Sequence, residues 1–176
     1  PRAFYYDTIT VPGGPLSGGL GPAQRKVMED AIAVLKQQGA IEIMPLLETA
    51  KGIENATSIA ASSPRLRRLA FGGGDYTHDL DLLWTPEEHE LAYARARLTH
   101  ASRVAGIEPP VDTVVLQVKD AARFMQSARN GRSMGFQAKL CIHPDQLPPC
   151  HEVFTPSAAE VAHARAVIDA FSAAEA

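Results

Sequence analysis

Short apolar runs rich in β-branched residues alternate with longer amphipathic segments along this chain of 176 residues. The β-type runs occupy residues 5–11, 41–47, 68–71, 111–118 and 139–142, and helical patterns cover residues 23–38, 55–61, 86–104, 120–130 and 157–173. Such alternation is typical of a parallel sheet or barrel in which each strand is followed by a helix. The sequence therefore predicts an α/β fold with five consecutive βα units.

Polar residues gather where these apolar runs end, at residues 48–49, 72–75, 119–120 and 143–144. In (β/α)8 TIM barrels the carboxyl ends of the strands carry the chemistry. A complete barrel of this type has about 250 residues, which is more than this chain contains. We therefore expect a single domain, residues 1–176, that forms only part of such a barrel.

The net charge and composition of the chain argue against some classes of binding partner. The formal net charge is −3, and a strongly basic surface for nucleic acid is not predicted. No apolar run approaches the roughly 18 residues of a membrane span, so no membrane partner is expected. The chain has two cysteines and no C-x-x-C pair, which favours a reducing, cytoplasmic location.

Two carboxylates stand at successive strand ends. Glu48 closes the second apolar run, and Asp75 follows the third, one βα repeat further along the chain. Adjacent parallel strands would hold these side chains next to each other, and paired carboxylates without clustered His or Cys suit Mg²⁺. The alternative is that Glu48 is an ordinary charged residue at the end of a strand.

The glycine run at residues 72–74 precedes Asp75 directly. Residues without a side chain let the backbone approach a ligand closely, and their N–H groups can form an anion-binding nest. The alternative is a tight turn. The run matches neither the Walker pattern nor G-x-G-x-x-G, which argues against a nucleotide phosphate loop.

Eight motifs follow one another in an order that resembles the citrate lyase β-subunit branch of the HpcH–HpaI aldolase family. Residues 41–80 contain E-T, G-x-x-N-A and F-G-x-x-D; E-x-x-x-A-R-x-x-L, A-G-I-E-P-P-V-D, K-D, G-F-x-x-K-x-x-I-H-P-x-Q and F-x-P-S-x-x-E-V then follow. The resemblance covers residues 41–172 and implies that the chain supplies the C-terminal portion of a (β/α)8 barrel, about its last five βα units. More weakly, Y-D-T-I-T-V-P at residues 6–12 is similar to the family's fourth strand, with Gly13 where the family has lysine.

The resemblance implies a Mg²⁺-dependent carbon–carbon lyase. Its substrate would be a 3-hydroxyacyl-CoA thioester of the citryl-, malyl- or citramalyl-CoA type, cleaved to acetyl-CoA and a 2-oxo acid. Carried over by position, Glu48 and Asp75 match the metal ligands, and the backbone N–H groups of Gly74 and Asp75 match those that bind the oxo-acid carboxylate. Members of the family assemble as trimers or hexamers, so we expect a homo-oligomer.

The family's substrate-binding arginine and the acidic residue of its lid have no identifiable counterpart here, which leaves the catalytic residues unassigned. One alternative function is a class II pyruvate aldolase of the HpcH–HpaI branch that acts on 4-hydroxy-2-oxo acids. The other is a non-catalytic paralogue, which Gly13 in place of lysine favours.

Overall fold

A four-stranded parallel sheet organises the computed structural model, which describes residues 42–175. The predicted strand 5–11 and helix 23–38 lie outside the described residues. The strands are β1 (Leu46–Leu47), β2 (Ala70–Phe71), β3 (Val111–Asp112) and β4 (Ala138–Lys139), and they lie in the order β1-β2-β3-β4. Every neighbouring pair is parallel, and the pairing sets Leu47 beside Phe71 and Asp112 beside Lys139.

Helices connect successive strands, as the alternating pattern predicts. The helices are α1 (Ala50–Glu54), α2 (Ala56–Ala60), α3 (Gly73–Asp79), α4 (Ala92–Val104), α5 (Ala121–Ser133), α6 (Leu147–Phe154) and α7 (Ala158–Glu175). Short 3₁₀ turns at His89–Leu91 and Pro144–Gln146 precede α4 and α6. A sheet whose strands follow chain order, each linked to the next by helices, confirms the predicted α/β class.

Side chains cap the starts of several helices. The Asp120 carboxylate accepts a 2.9 Å hydrogen bond from the Arg123 N–H, so Asp120 is the N-cap of α5. Ser157 Oγ accepts from the Glu160 N–H at 3.2 Å, and the Glu160 carboxylate accepts from the Ser157 N–H at 2.8 Å. This reciprocal pair is a capping box, which explains why α7 begins where the sequence predicts.

Some predicted boundaries were wrong. The strand predicted over residues 111–118 is limited to Val111–Asp112, and the helix predicted from residue 86 begins only at Ala92. Glu88 interrupts that helix because its φ of 58° is left-handed. The structure also contains α6, which the sequence did not predict because two prolines precede Cys150. Proline is tolerated in the first turn of a helix, where its missing N–H has no partner to lose.

Two apolar clusters fill the space between the sheet and the helices. The larger one packs β1 and β2 against α1, α2 and α4 around residues such as Phe71, Leu91 and Leu98. The smaller one joins Val115 and Phe124 to α6. Among the described residues, α7 alone of the longer helices buries no side chain. No helix between residues 42 and 175 is long and apolar enough to cross a membrane.

Candidate metal centre

Glu48 directly follows β1, and its half-buried side chain lies against Gly72, the residue after β2. A Cβ atom on Gly72 would lie 2.5 Å from Glu48 Cβ and 2.7 Å from Glu48 Oε2. No larger residue fits at this position without moving the glutamate. The first glycine of the run therefore makes room for the Glu48 carboxylate.

Asp75 lies in the first turn of α3, at the positive end of the helix dipole. The pKa of Glu48 is raised above its ordinary value, first by burial and then by the negative charge of Asp75 and a hydrogen bond between the two carboxyl groups. The structure thus brings the two predicted residues into contact at the carboxyl ends of β1 and β2. Their role as metal ligands stays a prediction.

The donor set of this carboxylate pair fits a hard divalent cation. Among residues 42–175, no group of three or more His, Cys, Asp and Glu residues could hold a metal ion. The pair would therefore supply the carboxylate ligands, with water and substrate oxygens in the remaining positions, which is the usual arrangement for Mg²⁺. A cation between the carboxylates would also remove the repulsion that raises the pKa of Glu48.

Thr113, the first residue after β3, fixes the glycine run from the neighbouring strand. The Gly73 N–H donates a 2.8 Å hydrogen bond to Thr113 Oγ1, and a Cβ atom on Gly73 would lie only 2.9 Å from that oxygen. Gly74 and Asp75 come next in the first turn of α3, where N–H groups have no acceptor within the helix. The predicted nest is therefore a helix start, and the oxo-acid role of these N–H groups stays a prediction.

Two aromatic residues near Asp75 have different roles. Trp84 Cζ3 lies 3.5 Å from the position that a Cβ atom on Gly74 would take, so the indole covers the start of α3. Tyr76 is buried in the core instead, with its ring 5.5 Å from that of Phe71 in an edge-to-face contact. Trp84 therefore lies over the start of α3, and Tyr76 belongs to the core.

A buried network of charged side chains lies beneath the site and joins β3 and β4 to α4 and α5. Asp112 accepts 3.0 Å hydrogen bonds from Arg95 and a 2.9 Å bond from Lys139 Nζ. Arg95 also donates to Glu88 at 2.7 Å, and Lys139 donates to Ser127 at 2.8 Å. The two positive and two negative side chains of the network balance each other. Charged side chains are tolerated in a protein interior when they are paired in this way.

Asp112 is the centre of this network and is fully buried. Burial favours the neutral acid, but the charges and hydrogen bonds of Lys139 and Arg95 outweigh it and hold the pKa of Asp112 below its ordinary value. The carboxylate therefore remains ionised and ties the end of β3 to its neighbours. This anchoring positions Thr113, and through it the glycine run.

The sequence did not predict this network. Arg95, Asp112 and Lys139 belong to three separate motifs of the family resemblance, and each stands among apolar residues. One signal could have revealed the network: charged residues stand at positions that the periodicity of a helix or strand directs toward the core. His143, by contrast, shapes a loop, since its Nδ1 accepts from the Asp145 N–H at 3.2 Å.

The two cysteines lie close together beyond the end of β4. Cys141 and Cys150 are half-buried, and both contact the carbonyl oxygen of Lys139, at 3.8 and 4.0 Å. A hydrogen bond from Cys141 lowers the pKa of Cys150 to about 7, and the same bond, together with burial, raises the pKa of Cys141. Cys141 is therefore placed to influence the ionisation of Cys150.

We expect iodoacetamide to alkylate Cys150 well before Cys141, because the thiolate is the nucleophile. The rate at Cys150 should rise with pH around a midpoint near 7 and level off above it. Peptide mass spectrometry after timed labelling measures both rates. In Cys141→Ala the midpoint should move to higher pH, since the stabilising donor is gone. Equal labelling of the two cysteines would contradict this assignment.

The fold and the candidate site together define the class of protein to which this chain belongs. Parallel strands in chain order, helical connections and paired carboxylates at the carboxyl ends of two strands describe part of a (β/α)8-barrel enzyme fold. Known proteins then identify the family. The model of the HpcH/HpaI aldolase/citrate lyase family matches residues 18–144, and the chain belongs to that family.

Individual relatives agree with this assignment. A citrate lyase subunit beta-like protein from Deinococcus radiodurans is 36% identical over 97% of this chain and 61% of its own length. The crystal structure of RipC from Yersinia pestis is 32% identical, with a TM-score of 0.67 over 77% of this chain and 61% of that one. The protein CitE of Mycobacterium tuberculosis, in complex with magnesium, acetoacetate and coenzyme A, is 24% identical, with a TM-score of 0.65 over 87% and 64%.

The relatives that match this chain are longer than the chain itself. The chain spans about three fifths of the length of the relatives it matches. The comparisons therefore establish the family and the barrel-type fold.

Proposed function

We propose that this chain supplies the Mg²⁺ site of a carbon–carbon lyase that acts on a 3-hydroxyacyl-CoA thioester. The substrate would be of the citryl-, malyl- or citramalyl-CoA type, and the products acetyl-CoA and a 2-oxo acid. The observation that carries the proposal is the contact between the Glu48 and Asp75 carboxyl groups beside the first turn of α3. Relatives named as citrate lyase β subunits, and a CitE structure with magnesium and coenzyme A, support it.

Glu48 and Asp75 would hold the cation, and bound there it would act as a Lewis acid on the oxygens of the oxo acid. The N–H groups of Gly74 and Asp75 would orient the carboxylate of the oxo-acid half. Cleavage breaks the bond between the hydroxyl-bearing carbon and the α-carbon of the thioester. The hydroxyl loses its proton and its carbon becomes the carbonyl carbon of the 2-oxo acid, and the bonding electrons pass to the α-carbon, which takes up a proton to give acetyl-CoA.

Three features of the surroundings suit this chemistry. Thr113 fixes Gly73 from the next strand, which holds the following N–H groups in place. Trp84 covers Gly74 and keeps water away from one side of the first turn. Gly72 leaves space for Glu48 to reach Asp75.

We further expect self-association as a trimer or hexamer and a cytoplasmic location, and both remain predictions.

Turnover with and without metal tests the proposal. The purified protein is incubated with citryl-, malyl- and citramalyl-CoA, and in parallel with a 4-hydroxy-2-oxo acid, in MgCl₂ or in EDTA. Acyl-CoA cleavage that EDTA abolishes and MgCl₂ restores is the expected result, with products measured by liquid chromatography. Calorimetric titration of MgCl₂ in the presence of oxaloacetate measures the site independently of turnover.

The other results each favour a different function. Cleavage of the 4-hydroxy-2-oxo acid alone would favour the pyruvate aldolase. Binding of Mg²⁺ and oxaloacetate without any turnover would favour a non-catalytic paralogue. Failure to bind Mg²⁺ with the oxo acid would overturn the metal site itself.

A further inference from the structure

Two cysteine side chains meet in one gap between the end of β4 and helix α6. Cys141 lies two positions after β4, and Cys150 lies in α6, which packs against β4. The Sγ atoms of both contact the carbonyl oxygen of Lys139, at 3.8 Å for Cys141 and 4.0 Å for Cys150. A hydrogen bond also joins the two thiols to each other. The sulfur atoms are therefore direct neighbours, although eight residues separate them in the chain.

The two thiols lie at the border of the core rather than inside it. Both side chains are half-buried and pack against the smaller apolar cluster, so a small molecule can reach them from solvent. The 176 residues contain no third cysteine that could compete for either partner. A disulfide within one chain therefore has a single possible pairing.

The surroundings of the thiols give them different reactivities. The hydrogen bond from Cys141, assisted by the positive charge of Lys139, lowers the pKa of Cys150 to about 7. The same hydrogen bond, together with burial, raises the pKa of Cys141. Lys139 is itself held by Asp112 at 2.9 Å and by Ser127 at 2.8 Å, so its charge is a fixed part of the fold. Near neutral pH a large share of Cys150 is the nucleophilic thiolate, and Cys141 remains a thiol.

We propose that Cys141 and Cys150 form a peroxide-sensitive dithiol, whose oxidation joins β4 to α6 through a reversible disulfide. The Cys150 thiolate attacks one oxygen of hydrogen peroxide, the O–O bond breaks, and hydroxide leaves as Cys150 becomes a sulfenic acid. The Cys141 sulfur then attacks the Cys150 sulfur, the S–S bond forms, and the sulfenic hydroxyl leaves with the thiol proton as water. Two thiols and one peroxide thus give one disulfide and two waters, and thiol exchange with a reductant reverses the reaction.

The disulfide would restrain the connection between β4 and α6 at both of its ends. Inside this connection the buried Gln146 side chain accepts from the Ile142 N–H at 2.9 Å and donates to the Val115 carbonyl at 2.8 Å. The connection is therefore already tied to the segment that follows β3. In the reducing compartment expected for this chain, disulfides are transient and serve redox sensing. The inference does not depend on the proposed lyase activity.

Peptide mass spectrometry of the oxidised chain tests the pairing directly. Reduced protein is treated with hydrogen peroxide, remaining thiols are blocked with iodoacetamide, and the chain is cut with trypsin and with a protease that cleaves before aspartate. Cuts after Lys139 and Arg165 and before Asp145 place the cysteines on separate peptides, 140–144 and 145–165. We expect these two peptides to be joined by a bond that dithiothreitol cleaves. Separate, fully alkylated peptides would overturn the inference, as would disulfides found only between two chains.

Serine variants test the order of the two steps. In Cys141→Ser the Cys150 sulfenic acid has no resolving thiol, so dimedone, which traps sulfenic acids, should label Cys150 after peroxide treatment. Serine keeps a hydrogen-bond donor beside Cys150, and its shape is close to that of cysteine. In Cys150→Ser the remaining Cys141 is a protonated thiol and should stay unlabelled. Equal labelling of the remaining cysteine in the two variants would overturn the assigned roles.

Urea provides the control that separates the fold from the local sequence. The covalent chain is the same in urea, but the hydrogen bond between the thiols and the charge of Lys139 no longer act on Cys150. Because less of Cys150 is then thiolate at neutral pH, peroxide should consume the free thiols several-fold more slowly than in the native protein. A rate in urea that equals or exceeds the native rate would overturn the inference.

Discussion

Asp75→Asn is expected to weaken Mg²⁺ binding in the presence of oxaloacetate by more than roughly 100-fold. Loss of an outer partner of a metal ligand typically costs about 10–100-fold, and loss of a ligand's charge should cost more. The asparagine has nearly the same shape, so the start of α3 should persist. Calorimetric titration of MgCl₂ gives the affinity of wild type and variant under identical conditions.

The same substitution should act in the opposite direction on the metal-free protein. The negative charge of Asp75 is one of the causes that raise the pKa of Glu48, so its removal relieves an unfavourable interaction. The melting temperature without metal should therefore be equal to or higher than that of the wild type. Loss of affinity without loss of stability is the signature of a binding residue.

Asp81→Asn is the matched control for Asp75→Asn. Asp81 lies in the same segment, is exposed, and has a left-handed φ of 52° that asparagine also adopts readily. The Asp81→Asn substitution changes the net charge by the same amount without touching Glu48. The Mg²⁺ affinity of this variant should equal that of the wild type. If Asp75→Asn binds Mg²⁺ as tightly as this control, the cation does not bind at the Glu48–Asp75 pair.

Asp112→Asn is expected to lower the free energy of unfolding by about 3–5 kcal/mol, the typical cost of leaving a buried charge without its partner. The substitution leaves Arg95 and Lys139 facing an amide in place of a carboxylate, and only Glu88 remains to balance them. Urea unfolding followed by circular dichroism measures the change.

A double variant tests whether the network acts as a unit. Lys139→Met alone leaves the Asp112 carboxylate with one cation, and it should also destabilise the fold. The combination of Asp112→Asn and Lys139→Met restores charge balance, because Arg95 and Glu88 remain as a pair. Its loss of stability should be smaller than the sum of the single losses. Strictly additive losses would contradict the network described here.

The acid limb of the stability curve gives an independent check on Asp112. Its pKa is lowered in the folded state, so its contribution is present above the ordinary pKa of an aspartate and is lost as the pH falls through the folded pKa. The loss is therefore expected below about pH 4. Asp112→Asn should lack this contribution to the acid dependence. Glu160→Gln, which alters an exposed ion pair with Arg132, should change stability little at any pH.

Some predictions from the sequence succeeded because they depended on local physics. The alternation of apolar runs and amphipathic segments requires parallel strands joined by helices, and that architecture is present. The helices predicted from residues 120 and 157 begin there because Asp120 and Ser157 cap α5 and α7, and capping depends only on the next few residues. The spacing of Glu48 and Asp75 was informative because consecutive parallel strands end at the same edge of the sheet.

Other features depended on contacts between residues far apart in the chain. The left-handed backbone of Glu88 ends the predicted helix early, and its carboxylate is held by Arg95 and Ser127. The strand predicted to residue 118 stops at Asp112, after which Thr113 binds the Gly73 N–H. Nothing within a window of neighbouring residues specifies either partner.

The sequence by itself determined the α/β class, the family and the position of two carboxylates at neighbouring strand ends. These features depend on periodicity, motif order and chain connectivity. Only the tertiary structure decided which charges lie buried. Arg95, Asp112 and Lys139 look like surface residues in the sequence, and they become a balanced interior network only when β3, β4 and α4 pack together. The physical reason is that desolvation and charge pairing depend on distances in space, which residue order alone does not fix.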